Sequence, residues 1–258
     1  MRLVILLLAT AACGGRTPEA QPAGEGGGAV ASPPRDAAAA EPQEPPRIPE
    51  GVVAWWEFAS ESAHVVEDLT GQYDGTLVGD AKIVRDAPPG CPPGALELDR
   101  DGDWMKAAAL SPDPSTWRGL TIEGYAAIFD DEHDGRDLFT TGATCAAFYL
   151  SFAPGPAVGA YHDCAAAMVI DEDHEPERNH WFHVAGVWDP ADPDAPWRVY
   201  LDHQLVGSGS IDVASPSEGG MAVGSLADGH SAHFNGRIAA LRVWNRAVDP
   251  GEMLHCAQ

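Results

Sequence analysis

Lysine is almost absent from this chain. Only Lys82 and Lys106 occur in 258 residues, and 15 lysines and arginines stand against 39 aspartates and glutamates, which gives a formal net charge of −24. Nucleic-acid binding needs clustered cations that neutralise phosphates, so the composition argues against a nucleic-acid partner. An acidic surface favours cations such as calcium, but it also keeps a domain soluble, which is the simpler explanation.

A long hydrophobic run is also lacking. The apolar segment Leu3–Ala9 follows Met1-Arg2 and is much shorter than the roughly 20 residues that span a bilayer. Such a start is typical of a secretory signal. The small residues that end at Cys13 resemble a bacterial lipoprotein signal, with Thr10 where leucine is usual. The resemblance implies a signal peptide at residues 1–12, a lipidated Cys13 and export to the cell envelope. An uncleaved anchor is the alternative.

Aromatic residues are missing before Trp55, and all eight tryptophans lie between Trp55 and Trp244. Residues 13–50 contain mainly Gly, Ala, Pro and Glu, and cannot bury enough apolar surface to offset the entropy of ordering. We therefore expect a lipidated cysteine followed by a disordered tether. Gly14 stands where aspartate would indicate inner-membrane retention, which favours the outer membrane. Residues 51–258 are expected to form one domain whose core needs no metal.

No Cys-x-x-Cys motif occurs, so a zinc or redox site of that kind has little support. If Cys13 carries lipid, four cysteines remain, and an even number in an exported chain indicates disulfides. The four residues allow three pairings. They are Cys91, Cys145, Cys164 and Cys256.

A hairpin prediction favours one of these pairings. Residues 153–156 read Ala-Pro-Gly-Pro, which is typical of a turn between two strands. Strands that pair residue i with residue 309 − i place Cys145 opposite Cys164, close enough for a bridge. Closing that loop would stabilise the fold by roughly 3 kcal/mol. Cys91–Cys256 then follows by elimination.

Apolar residues alternate with a period of two in several segments. In residues 121–128, Ile122, Ala126 and Ile128 share one face, and in residues 197–202 Trp197, Val199 and Leu201 do so. This period is typical of strands, and turn signals such as Asp-Gly and Asn-Gly recur between them. A helical period is not found over any long window; residues 249–255 alone are compatible with a helical turn. The pattern predicts an all-β sandwich or barrel.

Several motifs, in order, resemble a laminin G-like domain of the concanavalin A-like lectin/glucanase superfamily. Residues 68–77 (Asp-Leu-Thr-Gly-Gln-Tyr-Asp-Gly-Thr-Leu) resemble its turn, residues 121–125 (Thr-Ile-Glu-Gly-Tyr) one of its strands, and residues 179–189 the start of its C-terminal half. The resemblance covers residues 52–253. It implies a two-sheet antiparallel β-sandwich, or jelly roll, in which the first and last strands are neighbours. It also implies a binding role, with calcium as the one metal to consider.

That calcium would involve Asp68, together with backbone carbonyls of Gly71 or Tyr73, because members of the family often bind a structural calcium with an aspartate in this turn. Calcium takes six to eight oxygens, so these residues supply only part of the shell. The chain has Ala239 where members carry an acid. The alternative is an aspartate that stabilises the turn by hydrogen bonds.

Three acidic segments are further candidates. Residues 99–103 (Asp-Arg-Asp-Gly-Asp) begin like an EF-hand loop, but Leu110 occupies position 12, so we expect a turn between strands. Residues 130–134 and 171–175 are either a rim that collects cations or solvated loops. In the second, Asp171, Asp173 and Glu175 have the alternation of paired carboxylates in retaining glycosidases. Pro176 and the polar neighbours favour a loop.

Exposed aromatic residues are the remaining candidates for a ligand site. Trp104, Trp117 and Tyr161 lie near predicted turns and could stack on sugar rings, whereas most tryptophans must fill the core. His183 lies within a strand and is expected to be a packed, hydrogen-bonded histidine. The sequence thus predicts a surface-tethered, non-catalytic module that binds a glycan or a protein. A glycoside hydrolase and a structural subunit of an envelope assembly are the alternatives.

Overall fold

The structure is a computed structural model, which describes residues 46–60, 64–129, 136–143, 146–152, 155–162, 165–171, 173–211, 220–226, 229 and 231–256. In this part of the chain sixteen strands form two eight-stranded antiparallel sheets, and the one helical element is a 3₁₀ turn, η1 (Pro114–Thr116). The prediction of an all-β, two-sheet sandwich is therefore confirmed. Across these residues no helix is long and apolar enough to cross a membrane.

The first sheet contains the longest strands. Its order is β14-β13-β12-β7-β16-β5-β4, with β1 also paired to β16. The strands are β1 (Val52–Trp56), β4 (Lys82–Val84), β5 (Ala95–Asp99), β7 (Leu120–Ile128), β12 (Phe182–Trp188), β13 (Trp197–Leu201), β14 (Gln204–Gly209) and β16 (Asn235–Trp244).

The second sheet has the order β11-β10-β9-β8-β15-β6-β3-β2. Its strands are β2 (Val65–Val66), β3 (Gly75–Val78), β6 (Trp104–Ala107), β8 (Arg136–Ala143), β9 (Ala146–Phe152), β10 (Pro156–His162), β11 (Ala165–Ile170) and β15 (Met221–Val223).

The main core lies between the two sheets. Alternate residues of each strand enter it, as the period of two predicts, and Ile122, Ala126 and Ile128 are all fully buried there. Phe148 of one sheet stacks on Trp197 of the other, with ring centroids 5.4 Å apart. This stacking joins β9 and β13 across the sandwich.

A second apolar cluster covers the outer face of the first sheet. It contains Trp55, Trp244 and Met253, with Ile48 packed against it, so segments from both ends of the described domain lie over the sheet. Every residue of β12 is buried as a result. This explains the continuous apolar sequence of β12, because a strand covered on both faces does not alternate.

A disulfide secures the C-terminal segment over this face. Cys91 and Cys256 are bonded, with Cα atoms 4.8 Å apart. This pairing is confirmed, and it closes a loop with a sequence separation of 165 residues.

The predicted hairpin is present as β9 and β10, but its register was wrong by one residue. Pro156 pairs with Phe152 and Ala157 with Ser151, so paired residue numbers sum to 308 rather than 309. The prediction placed Pro156 in the turn. In the structure Pro156 is the first residue of β10, a position at which a strand tolerates proline. Cys145 and Cys164 lie outside the described residues, so their bridge remains a prediction.

The C-terminal segment forms a single turn where a helical turn was compatible with the sequence. The amide of Glu252 donates to the carbonyl of Asp249 at 2.9 Å, and no helix follows in the described residues up to Cys256.

Candidate binding cleft

Asp68 lies in a buried turn and accepts hydrogen bonds from both sides of it. Its Oδ1 accepts the amides of Trp55 (2.7 Å) and Thr70 (3.1 Å). Its Oδ2 accepts the amides of Gln72 (3.1 Å) and Tyr73 (2.9 Å) and the hydroxyl of Thr70. The carboxylate is 1% exposed. These contacts are those of an aspartate that stabilises a turn, the alternative foreseen for it.

One of the two carbonyls proposed beside Asp68, that of Tyr73, is also engaged, whereas Gly71 is held through its amide. The carbonyl of Tyr73 accepts the indole N–H of Trp56 at 2.9 Å, and the amide of Gly71 donates to the carbonyl of Asp68 at 2.7 Å. Calcium at Asp68, Gly71 and Tyr73 remains a prediction, but it would have to displace donors that already occupy the carboxylate.

The acidic segment after β11 is a loop, since the strand ends at Ile170. Asp171 is buried and accepts the amide of Asp173 (3.1 Å) and the Nδ1 of His174 (2.7 Å). Glu175 is paired with Arg178. The carboxylates therefore do not stand side by side on a strand as those of a retaining glycosidase would. The other acidic segment, residues 130–134, lies outside the described residues.

His183 is a core residue, as expected. It is 1% exposed, and its Nε2 lies 3.1 Å from Oε2 of Glu123. Glu123 is itself buried and accepts the indole N–H of Trp244 (2.9 Å) and the amide of Leu254 (2.7 Å). The glutamate thus links β7, β12, β16 and the C-terminal segment.

The three aromatic residues proposed for ligand binding do not form one site. Trp104 begins β6 and is half-buried; Gly229 lies so close to its indole that an added Cβ would be 2.4 Å from the ring. Tyr161 lies in β10, but its side chain is outside the described residues. Trp117 is also half-buried, packs against the main core and lines a cleft.

This cleft, called here the Trp117 cleft, has a volume of about 790 Å³. It lies where β16 ends at Trp244 and β7 is about to begin. Its walls are Pro49, Glu50, Gly51, Thr116, Trp117, Arg118, Trp244, Asn245, Arg246 and Glu252.

The turn η1 places Trp117 at the cleft. The amide of Thr116 donates to the carbonyl of Asp113 (2.9 Å), and that of Trp117 donates to Pro114 (3.0 Å). Proline suits the start of a helical turn because its fixed φ is already helical and its missing N–H has no partner to lose. The turn thus orients Trp117 and the adjacent Arg118 before the chain enters β7.

The loop is held against the end of β16 by close backbone contact. Gly119 has φ of 154°, and a Cβ there would lie 2.6 Å from the amide nitrogen of Ala247 and 2.8 Å from the carbonyl oxygen of Trp188. Only glycine fits this approach. The hydroxyl of Thr121 donates to the carbonyl of Arg246 at 2.9 Å, which joins β7 to the segment that follows β16.

The charged groups of the cleft differ in how they are engaged. Arg246 donates to both carboxylate oxygens of Glu252, at 2.9 and 3.1 Å, and lies over the ring of Trp244, 5.0 Å from its centroid. The hydrogen bond from Arg246 lowers the pKa of Glu252. Arg118 is exposed and makes no hydrogen bond or ion pair with the described residues. The cleft therefore offers one ion pair and one exposed guanidinium that has no partner among the described residues.

Two smaller hollows lie elsewhere in the described domain. One, of about 440 Å³, is lined by Trp181 and by acidic residues such as Glu175 and Asp202. The other, of about 290 Å³, contains Glu57 and Glu67 among apolar side chains. Burial raises the pKa of Glu57, and the charge of Arg242 opposes this shift.

Comparison with known proteins identifies the family. Residues 101–253, more than half of the chain, match the Laminin_G_3 family, described as the concanavalin A-like lectin/glucanases superfamily. The chain belongs to this family. No curated protein matches it in sequence.

Solved structures share the fold at low identity. Domain 4 of AbnA, a GH43 extracellular arabinanase from Geobacillus stearothermophilus, in complex with arabinotriose, is 15% identical with a TM-score of 0.57; the match covers 78% of this chain and 95% of that domain. A Trypanosoma rangeli sialidase in complex with sialic acid is 16% identical with a TM-score of 0.56, over 78% and 32% of the chains. The receptor binding domain of botulinum neurotoxin mosaic serotype C/D is 13% identical with a TM-score of 0.59, over 78% and 49%.

Sequence reasoning found Trp117 but missed its partners in the cleft. Arg118 carried a local signal, because it follows an aromatic residue just before a predicted strand. Arg246 and Glu252 carried no local sequence signal, because only the pairing of β16 with β7 brings them to the same cleft as Trp117.

Proposed function

We propose that this protein is a non-catalytic binding module that holds a saccharide in the Trp117 cleft. The observation that carries this proposal is the juxtaposition of the half-buried indole of Trp117, the exposed guanidinium of Arg118 and the Arg246–Glu252 ion pair. We further propose that the module is displayed on the cell envelope through a lipidated Cys13 and the tether of residues 13–50.

The chemistry of the cleft suits a polar ligand with an apolar face. An indole offers a flat apolar surface, as one face of a sugar ring does, and is among the best anchors in binding sites. Guanidinium and carboxylate groups supply directional hydrogen bonds to hydroxyl or carboxylate oxygens. A volume of about 790 Å³ is within the range of small-ligand sites.

The comparisons support a carbohydrate ligand at the level of the fold. The arabinanase domain was solved with arabinotriose, and the match covers nearly all of that domain. Because fold alone does not define function, the residues of the cleft must carry the assignment.

Binding without catalysis fits the state of the carboxylates. A retaining glycosidase needs one carboxylic acid with a raised pKa beside a nucleophilic carboxylate. In the cleft the pKa of Glu252 is lowered, because Arg246 donates to it. The two neighbouring carboxylates that fit hydrolysis better are Glu57, whose pKa is raised by burial, and Glu67, which line the smaller hollow together. Release of reducing sugar that disappears in Glu57→Gln would favour the hydrolase.

Variants of the cleft test the binding proposal. A saccharide that binds the wild-type chain is titrated by calorimetry into Trp117→Ala and Arg118→Ala. Each change should weaken the affinity by at least about tenfold, as expected for a central contact. Arg118 is exposed, so its variant should fold normally even if Trp117→Ala, which loses packing against the core, does not.

The matched control is Leu205→Ala, since Leu205 is 53% exposed and lies on β14, at the edge of the same sheet. Its affinity should equal that of the wild type. Undiminished binding by both cleft variants would place the ligand elsewhere and refute the assignment of the site.

The anchor is tested separately. Cells that express the chain are labelled with a palmitate analogue. The label should enter the wild-type protein and be lost in Cys13→Ala. Equal labelling of the two proteins, or none in either, would refute lipidation at Cys13.

A further inference from the structure

Two turns that each connect one sheet to the other meet at the end of the sandwich away from the Trp117 cleft. The turn between β3 and β4 contains Gly79 and Asp80, and the turn between β5 and β6 contains Gly102 and Asp103. A Cβ on Gly79 would lie 3.0 Å from both the Cα of Asp103 and the carbonyl oxygen of Gly102. The two turns are therefore in direct backbone contact.

Three carboxylates converge at this contact. One oxygen each from Asp80, Asp99 and Asp103 lies within 4.8 Å of the others. Ligand oxygens bound to calcium at 2.3–2.6 Å can be no farther apart than about this distance. Like charges this close repel one another. The charge of Lys82 acts on both Asp80 and Asp99, but its ammonium group is paired with Glu97 at 2.8 Å.

A second, independent observation concerns Asp103. Its side chain is 2% exposed, and Oδ2 accepts the amide of Asp99 at 2.9 Å, but Oδ1 is buried and has no hydrogen-bond partner. A buried, unsatisfied carboxylate oxygen is costly and calls for an explanation such as an ion. The carboxylate is directed at the cluster, since one of its oxygens is within reach of those of Asp80 and Asp99.

We propose that Asp80, Asp99 and Asp103 form a calcium-binding site that joins the two turns. The three protein ligands are oxygen atoms, and the cluster includes no histidine or cysteine, which suits a hard cation rather than zinc. Asp80 and Asp99 are exposed, so water can complete a shell of six to eight ligands. Calcium tolerates such an irregular shell, whereas magnesium requires near-octahedral geometry.

This site is distinct from both sites considered above. It shares no residue with the turn of Asp68. Asp99 pairs with Asn235, the first residue of β16, whereas the Trp117 cleft lies beyond Trp244, the last residue of that strand. The calcium proposal therefore stands or fails independently of the proposed saccharide binding.

Two measurements on the purified full-length chain test the site. Terbium, a calcium substitute, should become luminescent when the tryptophans are excited, because Trp104 directly follows Asp103. Millimolar calcium should raise the melting temperature above that in chelator. Asp80→Asn should weaken calcium affinity at least about tenfold, since the number of charged ligands sets the affinity, and Asp103→Asn should abolish the thermal shift.

The matched control is Asp101→Asn. Asp101 lies in the same turn and is exposed but outside the cluster, so its variant should respond to calcium as the wild type does. The absence of a calcium-dependent shift in the wild type would overturn the proposal. An undiminished shift in both Asp80→Asn and Asp103→Asn would do so too, and an equal shift with magnesium would overturn the assignment to calcium.

Discussion

The imidazole ring of His203 stacks on that of His183, with ring centroids 4.1 Å apart and an interplanar angle of 18°. His255 stacks on the other side of His203, at 4.0 Å. Burial, together with the electrostatic effect of His183 and His255, lowers the pKa of His203 to about 4, against the opposite effect of Glu123 and Asp202. The folded state therefore keeps this ring neutral at a pH where a free histidine is charged.

The first prediction is a loss of stability in acid that depends on His203. The unfolded chain takes up a proton near pH 6.5, and the folded chain takes it up only near pH 4. The free energy of unfolding should thus fall as the pH decreases through this window. His203→Phe keeps an aromatic ring that does not titrate. The urea midpoint of this variant should therefore fall less steeply with decreasing pH than that of the wild type. Parallel pH profiles for the two proteins would contradict this account.

The second prediction concerns Asp137, which should make the fold less stable as the pH rises rather than as it falls. Its side chain is 2% exposed, Oδ2 has no hydrogen-bond partner, and burial raises its pKa to about 8. The folded state keeps the proton that the unfolded state loses near pH 4, so this group destabilises the fold as the pH rises from about 4 to about 8. Asp137→Asn should unfold at higher urea than the wild type at pH 8. Equal midpoints at pH 8 would show that the carboxyl is not held protonated.

The third prediction concerns the turn of Asp68. Asp68→Ala removes the acceptor of four backbone amides, including those of Trp55 and Tyr73 in a buried setting. Unsatisfied buried donors cost about 1–3 kcal/mol each, so the loss in unfolding free energy should be about 3 kcal/mol or more. Urea denaturation measures it. Asp74→Ala, which removes a single acceptor from the same turn, is the comparison and should cost less.

The fourth prediction concerns the Cys91–Cys256 bridge. A loop this long gains about 5 kcal/mol from the cross-link in the chain-entropy model, and measured losses for native disulfides are typically about 2–5 kcal/mol. Cys91→Ser with Cys256→Ser should therefore lower the melting temperature markedly. The single variant Cys256→Ser should lose as much, since either change breaks the bond. A melting temperature equal to that of the wild type would contradict the proposed role of the bridge.

The strands could be predicted because their evidence is local. Alternation in residues 121–128 and 197–202 follows from which side chains enter the core between the sheets. The register of β9 and β10 could not be predicted in the same way, because it depends on whether Pro156 belongs to the turn or to the strand. A slip of one residue changes which side chains oppose each other, and local sequence does not resolve it.

The candidate sites depend on distant residues. Trp117 meets Arg246 and Glu252 because Thr121 pairs with Trp244 across β7 and β16. The acidic cluster likewise needs Asp80 from one turn beside Asp99 and Asp103 from another, so the segment 99–103 alone was correctly expected to be a turn. Local patterns thus predicted the elements, whereas their assembly was needed to see the sites.

Glycan-array binding of the full-length chain is the measurement that tests the central claim most directly. The array is probed with the wild type and with Arg118→Ala at the same concentration. We predict reproducible binding of the wild type to a related set of saccharides, with loss of most of that signal in Arg118→Ala. No saccharide binding by the wild type would contradict the claim and favour a protein ligand, and equal signals from the two proteins would contradict the assignment to the Trp117 cleft.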